Sequence, residues 1–255
     1  MISLPFRVVI PARYASTRLP GKPLRLIAGK PMIQHVIERA RASGAQEVIV
    51  ATDDARIEAC CLGFGAQVVM TSPEHQSGTD RIAEVAMQLG WQDQDIVVNV
   101  QGDEPLISPA VIVQVASVLQ SHSQAGIATL CEPIDKAEDL FNPNVVKLVR
   151  NKEDFALYFS RAPIPWDRDQ FAQGQSLSPR IQHLRHIGLY AYRVDCLRQL
   201  VATHPVALEQ TESLEQLRAL YQGIAIIAPV ACESNPAGVD TQEDLDRVEK
   251  MLVSA

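Results

Sequence analysis

The sequence predicts an α/β fold with a mostly parallel central sheet and helices on both faces. Short apolar runs at residues 7–10, 48–52, 67–70 and 96–100 have strand character. Segments with helical periodicity separate the first two runs and the last two. The stretch "DIVVNV", residues 95–100, is nearly all apolar, as expected of a strand buried on both faces. Right-handed crossovers between such strands build a parallel sheet.

The helices are predicted from apolar stripes and end signals. Between the first two strands, one face carries apolar residues up to Ala40, and Gly44 stands where that helix would end. A second helix is expected over about 79–89, with Thr79 as its N-cap by local rules. Another helix begins near Pro109. The last two are expected over about 208–222 and 241–253, with Thr241 capping the final helix and Asp244 three residues on.

The pattern becomes less regular after about residue 125. The segments "GIATL", "NVVKLVR", "ALYFS" and "HIGLYAYR" resemble strands without long helices between them. We therefore predict one domain over residues 1–255, with an antiparallel insertion or edge at about 125–205. A long loop at 161–180 is expected to serve either a ligand or a dimer contact. A further strand, "IAIIAPV", precedes the last helix.

Composition excludes several function classes. The chain has 255 residues, 47% of them hydrophobic, and a formal net charge of -7. That charge argues against broad binding to nucleic acid or acidic lipid. The five cysteines form no C-x-x-C pair, which disfavours a disulfide framework or a zinc site. No apolar run reaches about eighteen residues, so we expect no membrane insertion and a cytoplasmic location.

Three cations follow the first predicted strand. The stretch "VVIPARYASTRLPGKPL", residues 8–24, carries Arg13, Arg18 and Lys22 together with the hydroxyls of Ser16 and Thr17. It lacks the first glycine and the final hydroxyl of a Walker A loop, and no G-x-G-x-x-G follows any strand. Cations, hydroxyls and free amides suit phosphate oxygens. A solvated basic loop is an equal alternative from spacing alone.

Two acids are candidates for a metal. Asp103 follows the buried strand in "VNVQGDEPLI", and Asp240 precedes the last helix in "GVDTQEDLDRVEKML". In parallel sheets ligands bind beyond the carboxyl ends of the strands, where Asp103 stands. Carboxylate oxygens suit Mg²⁺, which often shares its coordination shell with nucleotide phosphates. Asp103 could also be a turn acid.

Several motifs together resemble the 3-deoxy-manno-octulosonate cytidylyltransferase family, whose sugar acid is abbreviated Kdo. The resemblance covers nearly the whole chain, and the segments "PWDRD", "HIGLYAYR" and "LEQLR" make it specific. The motifs are "IPARYASTRLPGKPL", "HQSGTDR", "VNVQGDEPLI", "FNPNVVKLV", "GVDTQEDLDRVE", "ALYFSRAPIPWDRD", "LRHIGLYAYR" and "LEQLR".

This resemblance implies a nucleotide-diphospho-sugar transferase fold, Rossmann-like and usually dimeric. The implied reaction uses Mg²⁺, CTP and Kdo to make CMP-Kdo and pyrophosphate for bacterial lipopolysaccharide synthesis. By motif match, Lys22, Asp103 and Asp240 are the catalytic residues, and the two aspartates hold the metal. The CTP site would use Ala12, Arg13, Lys22, Ser77, Gly78 and Arg81, and the sugar-acid site Gln101, Arg161, His186, Tyr190, Glu215 and Gln216.

Two alternatives remain open from the sequence. One is an enzyme that activates another 2-keto sugar acid with CMP. The other is a non-catalytic nucleotide-binding regulator on the same fold, although Lys22, Asp103 and Asp240 are all present. The sequence assigns no protein general base.

Overall fold

The computed structural model of the protein describes residues 5–15, 19–236 and 238–253. Ser16, Thr17 and Arg18, which the sequence places in the predicted phosphate loop, lie outside the described residues.

A twisted sheet forms the centre of the molecule, and a small ribbon of β2 and β3 lies apart from it. The strands are β1 Arg7–Ala12, β2 Leu26–Ile27, β3 Lys30–Pro31, β4 Glu47–Thr52, β5 Gln67–Met70, β6 Ile96–Asn99, β7 Ile127–Pro133, β8 Lys147–Arg150, β9 Ala156–Ser160, β10 Leu184–Arg193 and β11 Ile226–Ile227.

Helices cover both faces of this sheet. They are α1 Met32–Ala42, α2 Ala55–Gly63, α3 Gly78–Gln88, α4 Pro109–Ser121, α5 Ala137–Phe141, α6 Arg168–Phe171, α7 Val194–Val201, α8 Ala207–Glu212, α9 Gln216–Tyr221 and α10 Gln242–Val253.

The strand order of the main sheet is β11-β7-β10-β6-β1-β4-β5. Strand β1 is parallel to both neighbours, so that Val8 lies opposite Val48 and Val98. Among the described strands on this path, β10 alone runs antiparallel to its neighbours, and the β8–β9 hairpin pairs onto it. The predicted fold class is therefore confirmed, including the antiparallel elaboration after residue 125.

Alternation along the strands produces a core on each face of the sheet. In β1, Val8 and Ile10 point to the layer of α1 and α4, whereas Val9 points to the layer of α3 and α7. All three side chains are fully buried. Burying one such aliphatic side chain contributes about 1.5–3 kcal/mol. The two layers hold the strand ends in place, and the site is built at those ends.

Several predicted elements match the structure, and four helices were not predicted: α2, α7 and the short helices α5 and α6. Helices α1, α3, α4 and α10 lie where the periodicity placed them. Helix α2 was missed because only Ile57 and Cys61 are buried on it, which is too sparse a stripe to recognise. Helix α7 was missed because it follows β10 without a loop.

The predicted N-cap of α3 is wrong. Ser77, not Thr79, caps the helix, in a capping box with Asp80: the Ser77 hydroxyl accepts from the Asp80 amide at 3.1 Å and the Asp80 carboxylate accepts from the Ser77 amide at 3.0 Å. The hydroxyl of Thr79 instead donates to Glu215. The predicted cap of α10 is confirmed, since Thr241 Oγ1 accepts from the Asp244 amide at 3.2 Å.

The helix predicted over 208–222 is in fact two helices, α8 and α9. Ser213 adopts a left-handed conformation, with φ of 50°, and breaks the helix. Arg161 stabilises the break, because its Nε donates to the Glu212 carbonyl at 2.6 Å and its Nη2 to the Ser213 carbonyl at 3.3 Å. These carbonyls have no partner within the helix, so the guanidinium supplies the missing donors.

Within residues 5–15, 19–236 and 238–253, no helix is long and apolar enough to cross a membrane.

Candidate active site

Two adjoining cavities lie beyond the carboxyl ends of β1 and β6. The larger has a volume of about 370 Å³. The smaller has a volume of about 190 Å³. Gly78 and Gln101 line both, so the cavities share a wall. Because β1 and β6 are parallel neighbours, the loops that follow them emerge at the same edge of the sheet.

The larger cavity gathers seven of the residues that the sequence predicted. It is lined by Ala12 at the end of β1, Arg13 after it, Lys22 in a 3-10 turn, Gly78 at the start of α3, Gln101 and Asp103 after β6, and Asp240 before α10.

Two glycines allow close backbone contacts of the acid-bearing loops, one with the end of β1 and one between the loops. A Cβ on Gly102 would lie 2.9 Å from the carbonyl oxygen of Pro11, and a Cβ on Gly238 would lie 2.9 Å from that of Asp103. Real side chains do not tolerate such distances, so both positions require glycine. The approach lets the Val239 amide donate to the Asp103 carbonyl at 2.8 Å. A backbone hydrogen bond thus joins the two loops that carry Asp103 and Asp240.

The ammonium group of Lys22 lies between the two candidate metal ligands. Its Nζ is 2.7 Å from Asp103 Oδ2, 3.1 Å from Asp240 Oδ1 and 3.0 Å from the Val239 carbonyl. The Lys22 side chain is 13% exposed, which strengthens these charge interactions relative to bulk water. Next to Asp103, burial and that carboxylate together raise the pKa of Glu104 to about 7.

Arg13 lines the larger cavity and lies near a second arginine, Arg81. Its Nη2 donates to the His75 carbonyl at 2.5 Å. Burial and then the neighbouring Arg81 lower the pKa of Arg13. Arg81 is fully buried and donates to Thr71 Oγ1 at 2.7 Å and to Asp53 Oδ2 at 2.5 Å. Arg81 lines neither cavity, so its contact with a nucleotide stays a prediction.

The smaller cavity has the hydrogen-bonding groups of a sugar site. Tyr190, Glu215 and Gln216 line it, as predicted for the sugar-acid site, together with Thr79, Asn99 and Tyr192. Burial raises the pKa of Glu215. The Thr79 hydroxyl and Arg218 act in the opposite direction, because both favour the charged carboxylate. Burial also raises the pKa of both tyrosines, so they offer hydroxyl donors at neutral pH.

The remaining predicted residues lie outside both cavities. Ser77 caps α3, and the guanidinium of Arg161 donates to the backbone carbonyls of Glu212, Ser213 and Pro143. His186 lies beside Tyr190, with 5.3 Å between ring centroids, and its Nε2 is 2.9 Å from Thr129 Oγ1. Burial lowers the pKa of His186 to about 3, so its ring is neutral at pH 7. The ligand roles of these residues stay predictions.

Sequence reasoning missed three polar residues of the smaller cavity. Thr79 had been taken as a helix cap, and Asn99 is buried at the end of β6. Tyr192 stands two residues after Tyr190 and therefore on the same face of β10, with 5.8 Å between ring centroids. The period of two could have identified Tyr192. Nothing local could have identified Thr79, whose partner Glu215 is 136 residues away.

Comparison with known proteins identifies the family. The family model described as cytidylyltransferase matches residues 7–226. The 3-deoxy-manno-octulosonate cytidylyltransferase of Thioalkalivibrio sulfidiphilus is 60% identical over 97% of this chain and 98% of its own length. The chain belongs to the 3-deoxy-manno-octulosonate cytidylyltransferase family. A second relative of that name, from Pseudomonas fluorescens, is 59% identical over 98% of this chain and 99% of its own.

One solved structure supports the same family assignment, and a second shares the fold. A CMP:2-keto-3-deoxy-manno-octonic acid synthetase complexed with CTP superposes with a TM-score of 0.89 at 43% identity, covering 98% of this chain and 99% of that one. A nucleotidyl transferase from Methanothermobacter thermautotrophicus has a TM-score of 0.61 at 15% identity, with 98% of both chains covered. The latter shares the fold with this cytidylyltransferase.

Proposed function

We propose that this protein transfers CMP from CTP to the anomeric 2-hydroxyl of Kdo and releases pyrophosphate. The observation that carries the proposal is the convergence of Lys22, Asp103 and Asp240 in one cavity that shares a wall with a second, sugar-type cavity. Membership of the cytidylyltransferase family supports CTP as the nucleotide.

The larger cavity suits the triphosphate of CTP. Arg13 and Lys22 supply the positive charges, and the N-terminal turn of α3, at Gly78, presents backbone amides. Helix N-termini of this kind favour anions. In the transfer, charge develops on the α-phosphate and on the departing pyrophosphate. A preorganised cation that faces these groups, as Lys22 would, is the main protein contribution to phosphoryl transfer, whereas Arg13 would contribute to holding the bound triphosphate.

The two aspartates fit a Mg²⁺ ion. Their carboxylates converge on one point, now marked by the Lys22 ammonium, and oxygen is the ligand type this ion prefers. In the described residues no group of three or more His, Cys, Asp or Glu side chains could hold a metal. Asp103 and Asp240 would therefore share the ion with phosphate oxygens and water. When bound, such an ion supplies charge neutralisation and lowers the pKa of a nearby hydroxyl.

The smaller cavity would hold and orient the sugar acid. In the transfer, the 2-hydroxyl oxygen would bond to the α-phosphorus, the bond from that phosphorus to the oxygen bridging the α- and β-phosphates would break to release pyrophosphate, and the hydroxyl proton would pass to water. Gln101 lines both cavities and stands where the two substrates would meet. Tyr190 and Glu215 would hold sugar hydroxyls, so that the nucleophile approaches in line.

Pyrophosphate release tests the proposal directly. Purified protein with Mg²⁺, CTP and Kdo should release one pyrophosphate for each CMP-Kdo formed. Replacing CTP by UTP, or Kdo by N-acetylneuraminate, should abolish most of the release. Turnover with N-acetylneuraminate instead of Kdo would favour an enzyme for another 2-keto sugar acid. CTP binding without any release would favour a non-catalytic regulator.

The proposal extends to assembly and location. A homodimer, a cytoplasmic location and a role in lipopolysaccharide synthesis go with the family resemblance. Leu157, Trp166 and Ile181, in the elaboration after residue 125, are large apolar side chains with exposed surface that a second copy could cover. Light scattering on the purified protein should give twice the mass of one chain. A monomer at micromolar concentration would contradict the dimer and leave the chemistry untouched.

A further inference from the structure

The loop before α3 is held by a pair of side chains that lie outside both cavities. His75 and Glu84 line a separate groove against α3 and α7, together with Met87 and Arg198. His75 Nε2 donates to Glu84 Oε2 at 2.5 Å. Neither side chain lines the phosphate or the sugar cavity, so neither is placed to touch a substrate.

Glu84 fastens this loop at two points. Its Oε2 accepts from the Ser72 amide at 2.9 Å as well as from His75, and its Oε1 accepts from Gln88 at 2.8 Å. Burial works against the charged form, but these hydrogen bonds outweigh it and lower the pKa of Glu84. Glu84 stands on α3 between the buried residues Ile82 and Val85, so it is anchored to the core.

The fastened loop in turn holds Arg13. The backbone carbonyl of His75 accepts from Arg13 Nη2 at 2.5 Å. Arg13 follows β1 and the loop follows β5, and β4 lies between these strands. The contact therefore reaches across the end of β4. Arg81 repels the charge of Arg13, whereas the carboxylates of Asp53 and Asp80 attract it. The His75 carbonyl is a hydrogen-bond acceptor that fixes the direction of the guanidinium.

We propose that Glu84 and His75 are positioning residues that hold Arg13 against the phosphates of CTP. The inference rests on the proposed function, because it assigns Arg13 to the triphosphate. Contacts behind a ligand-binding group commonly change affinity or activity by about tenfold or more when they are removed. If Glu84 and His75 act by holding Arg13 in its contact with bound CTP, removing them should weaken CTP affinity and leave turnover nearly unchanged.

The test measures CTP binding by calorimetry without Kdo, and steady-state kinetics with Kdo. Glu84→Ala and His75→Ala should each raise the Kd and KM for CTP about tenfold, with kcat within about twofold of wild type and the KM for Kdo unchanged. Glu84→Gln keeps an acceptor oxygen and should recover most of the affinity. The matched control is Glu74→Ala in the same loop, since the Glu74 side chain has no hydrogen bond or ion pair within the described residues.

A double-variant cycle separates positioning from a general structural effect. In the Arg13→Ala background, Glu84→Ala should cause no further loss of CTP affinity, because both act through one guanidinium. Additive losses, or equal losses of kcat and of Kdo affinity, would overturn the inference. If Glu84→Ala unfolds, His75→Ala provides the same cycle with Arg13→Ala. Wild-type protein that fails to bind CTP would refute the proposed function, whereas binding unchanged in all variants would refute only this inference.

Discussion

Individual residues in the site are held by partners from distant parts of the chain. Lys22 joins Asp103, Val239 and Asp240, which lie 81, 217 and 218 residues away. Each of these contacts is short and involves a charge, so the geometry is well defined. The same ammonium would face the α-phosphate of CTP, and its position is therefore a consequence of the whole fold.

We predict that these charges matter more for turnover than for folding. Lys22→Ala, Asp103→Ala and Asp240→Ala should each lower pyrophosphate release by about 100-fold or more, because each removes a charge from the reacting phosphates or their metal. Circular dichroism should show an intact fold in all three. Lys152→Ala is the matched control, since that side chain is 89% exposed. Near-wild-type release by the three variants would refute the site.

A second prediction concerns acid stability. The pKa of His186 is about 3 in the folded protein, and that of an unfolded histidine is about 6.5. Between these values the unfolded state takes up a proton that the folded state does not. The free energy of unfolding should therefore fall as the pH falls from about 6.5 towards 3.

Urea denaturation at several pH values measures this effect. His186→Gln should have a shallower loss of stability over that range, because it removes the titrating ring. The exposed His204, changed to glutamine, should leave the slope as in wild type. Identical slopes in wild type and His186→Gln would contradict the assignment of a buried neutral ring to His186.

Whole elements position the sugar-side residues through one irregular junction. The break at Ser213 separates α8 from α9, and Glu215 and Gln216 follow directly at the start of α9. Arg161 stabilises the break, since it donates to the carbonyl groups of Glu212 and Ser213. A continuous helix would turn these two side chains in other directions, because successive helical residues are rotated by about 100°.

We predict that this junction is sensitive to side-chain shape. Ser213→Val should lower the free energy of unfolding by about 1–2 kcal/mol, because a branched side chain is strained at positive φ. It should also raise the KM for Kdo more than that for CTP. Ser213→Gly relieves the strain and serves as the control. Equal stability of the valine and glycine variants in urea would show that the left-handed conformation is not maintained.

At the level of the whole molecule, one sheet joins both cores and both cavities. The path from β11 to β5 is continuous, and the two apolar layers share its strands. We therefore expect residues 1–255 to unfold as one cooperative unit.

The two tryptophans allow a test of this expectation. Trp91 is 5% exposed within the core, whereas Trp166 is 62% exposed in the loop after β9. In a Trp166→Phe variant, the fluorescence of Trp91 should change at the same urea concentration as the far-ultraviolet circular dichroism. Two separate midpoints would show that the elaboration at 125–205 unfolds independently of the sheet.

Features that depend on neighbouring residues could be predicted from the sequence. The buried strands β1, β4 and β6 are short apolar runs, and α1 and α3 have clear stripes, so the α/β class followed from local periodicity. Asp103 was found because it comes directly after such a strand. Asp240 was a candidate because it precedes the last helix, and the family motifs supplied the sugar-site roles of Glu215 and Gln216, which no local rule would have selected.

Features that depend on distant partners were decided only by the tertiary structure. Thr79 satisfies the local rule for a cap, but its hydroxyl donates to Glu215 because Ser77 already caps the helix. The helix break at Ser213 is stabilised by Arg161, 52 residues earlier. Local sequence patterns thus predicted the strands and, with them, the residues that stand at the strand ends. Packing across the sheet decided which of them meet, because a hydrogen bond or an ion pair depends on a distance that sequence spacing does not determine.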